Sequence, residues 1–448
     1  MSPEKSVNSE VSTIKSDDLS SELRIPQFNE TLRTSRSQLG RFIDRGSAKF
    51  DYGFVVHPRD PLDALSCAKF LGLNLGILSP LVSGRLEGWM KRKFLYNELA
   101  KIPPFVIGDG IITSRGSEVK GALIAVLLYG EQMLPKMEDA NSAKWSDFAR
   151  ERIIEAISLA KSRGAKLIGL GALTSPTTIG GRRIIRDPEV QGIGITSGNS
   201  FTAFENLDAT VNYTKWLGLT PQNARVAIVG ADGSVGGATS RLIVANGFKD
   251  VLLIGSPRHK NKLAVKLPDL KNEKAATFTH DIKKIQDYDI IINVTSGNGV
   301  GAGLEENASE GSFIIDDTQP KSISELAGKR MRKRGVTVID GGFVYVPGLK
   351  CRFNLRTPRS TTFACLAETI LLAREGRYGN YSIGDADVSK ALEMGDLSRK
   401  HGFKLAEPTL CGKIIPESDL QKTIAANSMR HNNFRTTHQI PYFGHSQV

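Results

Sequence analysis

The chain has 448 residues, 40% of them hydrophobic and 24% charged, with a formal net charge of +12. These values suit an ordinary soluble globular protein of two or three domains, and the longest apolar run, Gly121 to Leu128, is far too short to span a bilayer. The opening MSPEKSVNSEVSTIKSDD lacks the apolar core of a signal peptide, so a cytoplasmic location is expected.

Residues 1–50 are polar, Ser-rich and without period, which predicts a disordered extension. A first α/β domain is expected over 51–218. Phe54-Val55-Val56 reads as a strand, Leu62–Leu71 as a helix, and Val106–Thr113 and Val119–Leu128 as strands about a turn at Arg115-Gly116. Trp145–Arg163 is an amphipathic helix closed by Gly164, Lys166–Leu170 a strand, and Phe201–Leu217 a helix entered through Thr196–Asn199.

A nucleotide-binding domain follows over 219–345. Val226–Val229 has the composition of a buried parallel strand and runs into Gly230-Ala231-Asp232-Gly233-Ser234-Val235-Gly236, which opens a helix. Glycines at that spacing also make ordinary turns. Between strand and helix, though, they let backbone N–H groups and the helix dipole hold a pyrophosphate. Strands at Val251–Ile254, Asp289–Asn293, Phe313–Asp316 and Val336–Ile339 complete a doubly wound sheet. The stretch after the second strand, Gly255-Ser256-Pro257-Arg258-His259-Lys260, has no carboxylate for a ribose 2′-OH. Arg258 and Ser256 suit a 2′-phosphate instead, which favours NADPH.

The C-terminal part, 346–425, is predicted to be helical, with helices over Thr361–Arg374 and Val388–Gly402, and 426–448 to be a flexible tail. Of the four cysteines, none forms a C-x-x-C pair or a zinc spacing. Cys365 by type alone is a small core hydrophobe. An N-cap at Thr361 or Thr362 would instead place it in a first helical turn, where unpaired N–H groups stabilise a thiolate.

The sequence resembles the cyanobacterial long-chain acyl-(acyl carrier protein) reductases from about Phe54 to Phe403. The matching segments are Phe54–His57, Thr196-Ser197-Gly198-Asn199, Val229–Gly236, Phe363–Glu368, Glu375-Gly376, Asn380–Gly384 and Arg399–Phe403. The resemblance implies an N-terminal α/β substrate domain, a central Rossmann-type NADPH domain and a C-terminal helical part. It also implies that Cys365 accepts the acyl group from an acyl carrier protein thioester. Residues 1–50, the tail, the Gly-rich Thr295–Gly299 and Asp316–Lys321 depart from that family, the last being more like glutamyl-tRNA reductases.

The chemistry implied is attack by Cys365 on a thioester, hydride transfer from NADPH to the acyl-enzyme, and release of an aldehyde. Cofactor contacts are expected from Gly230, Asp232, Gly233, Ser234, Val235, Gly236, Ser256, Arg258 and Thr295. Thr295 and Ser296 are candidate oxyanion donors. His57 and His401 are candidate proton donors, each with a structural role as the alternative, and Glu368 reads as a solvated helix carboxylate. Acyl-CoA, an aminoacyl-tRNA or a non-catalytic sensor remain alternatives, and oligomeric state stays open. An acidic carrier would meet a basic surface, with Lys329-Arg330 and Arg332-Lys333-Arg334 as one candidate against a merely solvated helix face. Basic residues are not interleaved with aromatics, so no nucleic acid is expected.

Overall fold

The computed structural model describes residues 49–431, apart from 61–62, 65, 68–95, 98, 113–117, 136–140 and 297–298. The expected extension, most of Leu62–Leu71, the Arg115-Gly116 turn and the tail beyond His431 therefore lie outside the described residues.

Two sheets organise the chain, with helices and strands alternating as an α/β fold. The first has the order β2-β3-β1-β4-β5, from β2 (Phe105–Ile112), β3 (Lys120–Ala125), β1 (Tyr52–Val56), β4 (Leu167–Leu170) and β5 (Gly194–Thr196). All its pairs are parallel except β2–β3. Its central strands are buried except at Val56, as expected of parallel strands covered on both faces. Helix α1 (Ser142–Ser162) covers one face with Ala149, Ile153, Ala156, Ile157 and Ala160, and Gly164 follows it at φ +90°.

The second sheet is all parallel, in the order β11-β10-β9-β6-β7-β8. Its strands are β6 (Arg225–Val229), β7 (Asp250–Ile254), β8 (Ala276–Thr279), β9 (Ile290–Asn293), β10 (Phe313–Asp316) and β11 (Thr337–Asp340). Strand order reverses between β6 and β9, which is where a doubly wound sheet opens its crevice. The edge strand β8 escapes sequence reading because its alternating, half-polar residues carry no apolar run.

Helix α2 (Asn199–Trp216) joins the sheets and is buried along most of its length. It packs against α3 (Ser234–Ala245), α5 (Ala364–Arg374), α6 (Val388–Lys400), β9 and β10. Helix α4 (Glu325–Lys333) precedes β11.

The C-terminal part differs from the helical expectation. Short strands β12 (Phe343–Tyr345), β13 (Thr361–Phe363) and β14 (Lys404–Leu405) form an antiparallel sheet, and β15 (Thr409–Leu410) and β16 (Lys413–Ile414) a hairpin. β-branched Thr361 and Thr362 pair with β12, so the helix expected from Thr361 begins at Ala364. Helix α7 (Glu417–Arg430) runs through the residues expected to start the tail. Its Asn427 is buried and donates to Asp289 (2.8 Å) and to the Gly311 carbonyl (3.0 Å), which pins the helix to the second sheet. Among the described residues no helix is long and apolar enough to cross a membrane.

Candidate active site

The glycine loop joins β6 to α3. Gly230 sits at φ +90°, a conformation open to glycine, and its carbonyl accepts from the Gly233 N–H at 2.9 Å. A Cβ on Gly236 would stand 2.1 Å from the Gly230 oxygen, so only glycine lets the helix approach its strand. A Cβ on Gly230 would lie 3.1 Å from Thr295, which places the residues after β9 across the crevice. Bare backbone at a helix N-terminus fits a dinucleotide pyrophosphate. The Ser234 hydroxyl is engaged elsewhere: it accepts from Asn199 (2.9 Å) and the Ala386 N–H (2.9 Å) and donates to the Gly384 carbonyl (3.1 Å). Ser234 can thus offer a ligand its backbone N–H alone.

At the end of β7, exposed Arg258 follows Ser256 as expected, yet the site is not free of acid. The buried Asp232 carboxylate accepts from the Ser256 N–H (3.3 Å) and pairs with Lys262 at 3.5 Å. The sequence after Ile254 could not reveal a carboxylate that arrives from the glycine loop.

Cys365 is the second residue of α5, whose N-cap is Phe363 with extended backbone and no side-chain cap; neither Thr361 nor Thr362 fills that position. The Gly198 residue leans on the cysteine, and a Cβ there would lie 2.3 Å from both Cys365 Cα and Cβ. Burial pushes the thiol up to about 12, against the backbone N–H groups of Ala172 and Leu366, which favour the thiolate. The expected helix-terminus activation is therefore present but outweighed by desolvation.

Ala172 sits at φ +48° in the turn after β4. Around it, the Gly171 N–H donates to Val55 (2.9 Å) and the Leu173 N–H to His57 Nε2 (3.2 Å), leaving the Ala172 N–H for the sulfur. His57 lines the cleft, but its Nδ1 is 2.9 Å from the Pro58 carbonyl, so both ring nitrogens are occupied. With burial pulling it down to about 4, the ring is neutral and pins the Ala172 turn.

His401 lies away from the cleft, 2.6 Å from Glu375 at the far ends of α5 and α6. Thr295 faces the cleft with its hydroxyl given to Asn293 (3.0 Å), and Ser296 is exposed there. Glu368 is fully buried rather than solvated. It accepts from Thr196 and from the Phe201 N–H at 2.8 Å, so it caps α2 from another helix, and burial raises its pKa. The basic cluster on α4 is largely paired, Lys329 with Glu325 (2.8 Å), Arg330 with Glu305 (2.7 Å) and Arg332 with Asp419 (3.1 Å).

One cleft of roughly 1370 Å³ runs from Gly230, Ser256 and Arg258 past Thr295 to Cys365, and on to Phe54, Ile107, Leu123, Leu170 and Phe353. Asp317, read in sequence only as part of a divergent segment, also lines it.

No family model matches the sequence. The chain is 29% identical over 390 residues to the aminotransferase PigE of Serratia sp., a match covering 85% of this chain and 42% of that protein. The chain thus spans less than half of that relative's length. It is 26% identical over 350 residues to the long-chain acyl-[acyl-carrier-protein] reductase of Synechococcus elongatus, covering 73% of this chain and 98% of that one. Among solved structures, an NAD-dependent malic enzyme from Thermotoga maritima is similar at TM-score 0.38 and 16% identity, over 94% of this chain and 95% of that chain.

Proposed function

We propose that the chain is an NADPH-dependent reductase that converts a carrier-bound acyl thioester to an aldehyde, with Cys365 holding the acyl group between two half-reactions. The observation that carries this reading is the single cleft joining a glycine loop to a cysteine at a helix N-terminus. Hydride transfer requires those two ends to share one water-poor space. The similarity to a protein named as an acyl-carrier-protein reductase, spanned almost end to end, supports the same substrate class.

Gly230–Gly236 would hold the pyrophosphate of NADPH and Ser256 and Arg258 its 2′-phosphate, and the cofactor would supply the hydride. Lys262 offsets the Asp232 charge at that end. Cys365 sulfur bonds to the acyl carbon as the carrier sulfur leaves, and the N–H groups of Ala172 and Leu366 stand beside it to steady negative charge. When the reduced carbon expels the Cys365 sulfur, the carbonyl re-forms as the aldehyde. Phe54, Ile107, Leu123, Leu170 and Phe353 offer the acyl chain an apolar wall.

An acyl carrier protein is the proposed donor. Since the bases of α4 are mostly paired with Glu325, Glu305 and Asp419, the docking surface is sought beside the cleft instead, where exposed Arg258 lies. Purified protein given NADPH and one long-chain acyl group on acyl carrier protein, coenzyme A or pantetheine should release aldehyde, fastest from the carrier protein. No aldehyde from any of the three would sink the proposal.

A further inference from the structure

Attack by Cys365 needs a base, because desolvation makes its half-buried thiol hold its proton. The candidates read from sequence do not serve: His57 has both nitrogens bonded and His401 lies outside the cleft. Glu368 spends one oxygen on Thr196 and the other on the Phe201 N–H.

Asp317 is placed differently. It follows β10 into the cleft and rests on Gly341-Gly342, where a Cβ on Gly341 would lie 2.6 Å from Asp317 Cβ, and one on Gly342 2.5 Å from Asp317 Oδ1. The Gly342 carbonyl in turn accepts from the Ala364 N–H at 2.7 Å, one residue before the cysteine. The glycine pair therefore brings the carboxyl against the start of α5. Its Oδ2 accepts from Asn206 Nδ2 at 2.9 Å, while Oδ1 takes no hydrogen bond from a described residue.

We propose that Asp317 is the proton relay of Cys365, an inference that rests on the acyl-enzyme reading above. The carboxylate takes the thiol proton as sulfur bonds to the acyl carbon. It then gives that proton to the carrier sulfur as the old carbon–sulfur bond breaks, so the carboxylate is restored and the carrier leaves as a thiol. After reduction, the Cys365 thiolate expelled with the aldehyde regains one proton from solvent through the same group. No other oxidant or reductant is needed.

The groups facing Asp317 are Glu205 and Asn206 from α2, Cys365 from α5, Asp316 from the end of β10 and Lys321 from the loop that follows. Burial raises the carboxyl to about 7, against the opposing effects of Asn206 and Lys321. A base poised there is about half ionised at neutral pH, so it can both take and return a proton.

The experiment is acylation of Cys365 by a long-chain acyl-pantetheine without NADPH, followed by intact mass as a function of pH. In the wild type the rate should rise through an inflection near 7. Asp317→Asn should acylate about 100-fold more slowly and lose the inflection, with NADPH binding unchanged. Asp317→Glu should recover part of the rate. Asn206→Leu, which keeps the carboxyl and removes its donor, should move the inflection to higher pH, and it tests the relay even if Asp317→Asn folds poorly. Wild-type rate and profile in Asp317→Asn, or an unmoved inflection in Asn206→Leu, overturns the relay alone. A wild type that forms no adduct overturns the acyl-enzyme reading and the relay with it.

Discussion

The two ends of the cleft are built by opposite means. At the cofactor end, Gly230–Gly236 is one unbroken segment in which missing side chains do the work, and contacts among Gly230, Gly233 and Gly236 set the loop's shape. At the cysteine end, the parts come from five places in the chain: the Ala172 turn, Gly198, Asp317, Gly341-Gly342 and the start of α5. A phosphate can be held by local backbone, whereas tuning a nucleophile takes groups converging from several directions. The two ends should therefore fail separately when disturbed.

The largest effects are expected from paired glycine replacements. Gly236→Ala would force a Cβ to within 2.1 Å of the Gly230 oxygen, and should abolish NADPH binding while leaving acylation of Cys365 largely intact. Gly198→Ala would meet Cys365 at 2.3 Å from a residue at φ +76°, and should do the reverse. Each should cost about 2–4 kcal/mol of stability, from overpacking and, at Gly198, backbone strain. Cofactor fluorescence titration and acyl-adduct mass would separate them. Loss of both functions in both variants would mean the two ends are one cooperative unit.

Asp317 adds a pH signature that the cofactor end lacks. Its carboxyl ionises near 7 when folded and near 3.8 when unfolded. The favourable neutral form is thus fully present below about 3.8, and its contribution is lost as pH rises through about 7. Asp317→Asn, which cannot ionise, should be more stable than wild type above pH 7 by on the order of 4 kcal/mol, shrinking towards nothing at low pH. Thermal unfolding at several pH values checks this; an offset that does not change with pH contradicts the raised value.

How much was legible in the sequence follows the same division. The glycine loop was readable because its signal, an apolar strand running into spaced glycines, lies within one stretch of chain. Placing Cys365 in a first helical turn was also within reach, although the β-branched Thr361 and Thr362 went to a strand rather than a cap. What that turn touches was not. Glu368 looked solvated because its partners Thr196, at the end of β5, and Phe201, in α2, lie far from it in sequence. His57 offered a residue type suited to proton transfer, while the bonds that occupy it are to backbone atoms. Asn427 looked like tail because a buried anchor and a solvated asparagine read alike in sequence.

Smaller effects should sharpen the cofactor end. Arg258→Ala should raise the KM for NADPH about 10-fold with little change for NADH, as loss of a charge-assisted contact predicts. Asp232→Asn should move the ratio the other way, because it removes a carboxylate beside Ser256. Steady-state kinetics with both cofactors would show it, and a wild type that prefers NADH would reassign Asp232 to the ribose. Smallest of all, reversing Lys329 and Arg330 should change kcat/KM for a carrier-protein substrate by no more than about 2-fold, since exposed charges already held in ion pairs contribute little. A large loss would return the docking surface to α4.

The central claim is that the acyl group rests on Cys365. Wild-type protein incubated with a long-chain acyl thioester and no NADPH should gain the mass of one acyl group, located on the peptide carrying Cys365, and added NADPH should discharge it as aldehyde. Cys365→Ala should gain no such mass and make no aldehyde while still binding NADPH. Aldehyde formation by Cys365→Ala at the wild-type rate would contradict the account.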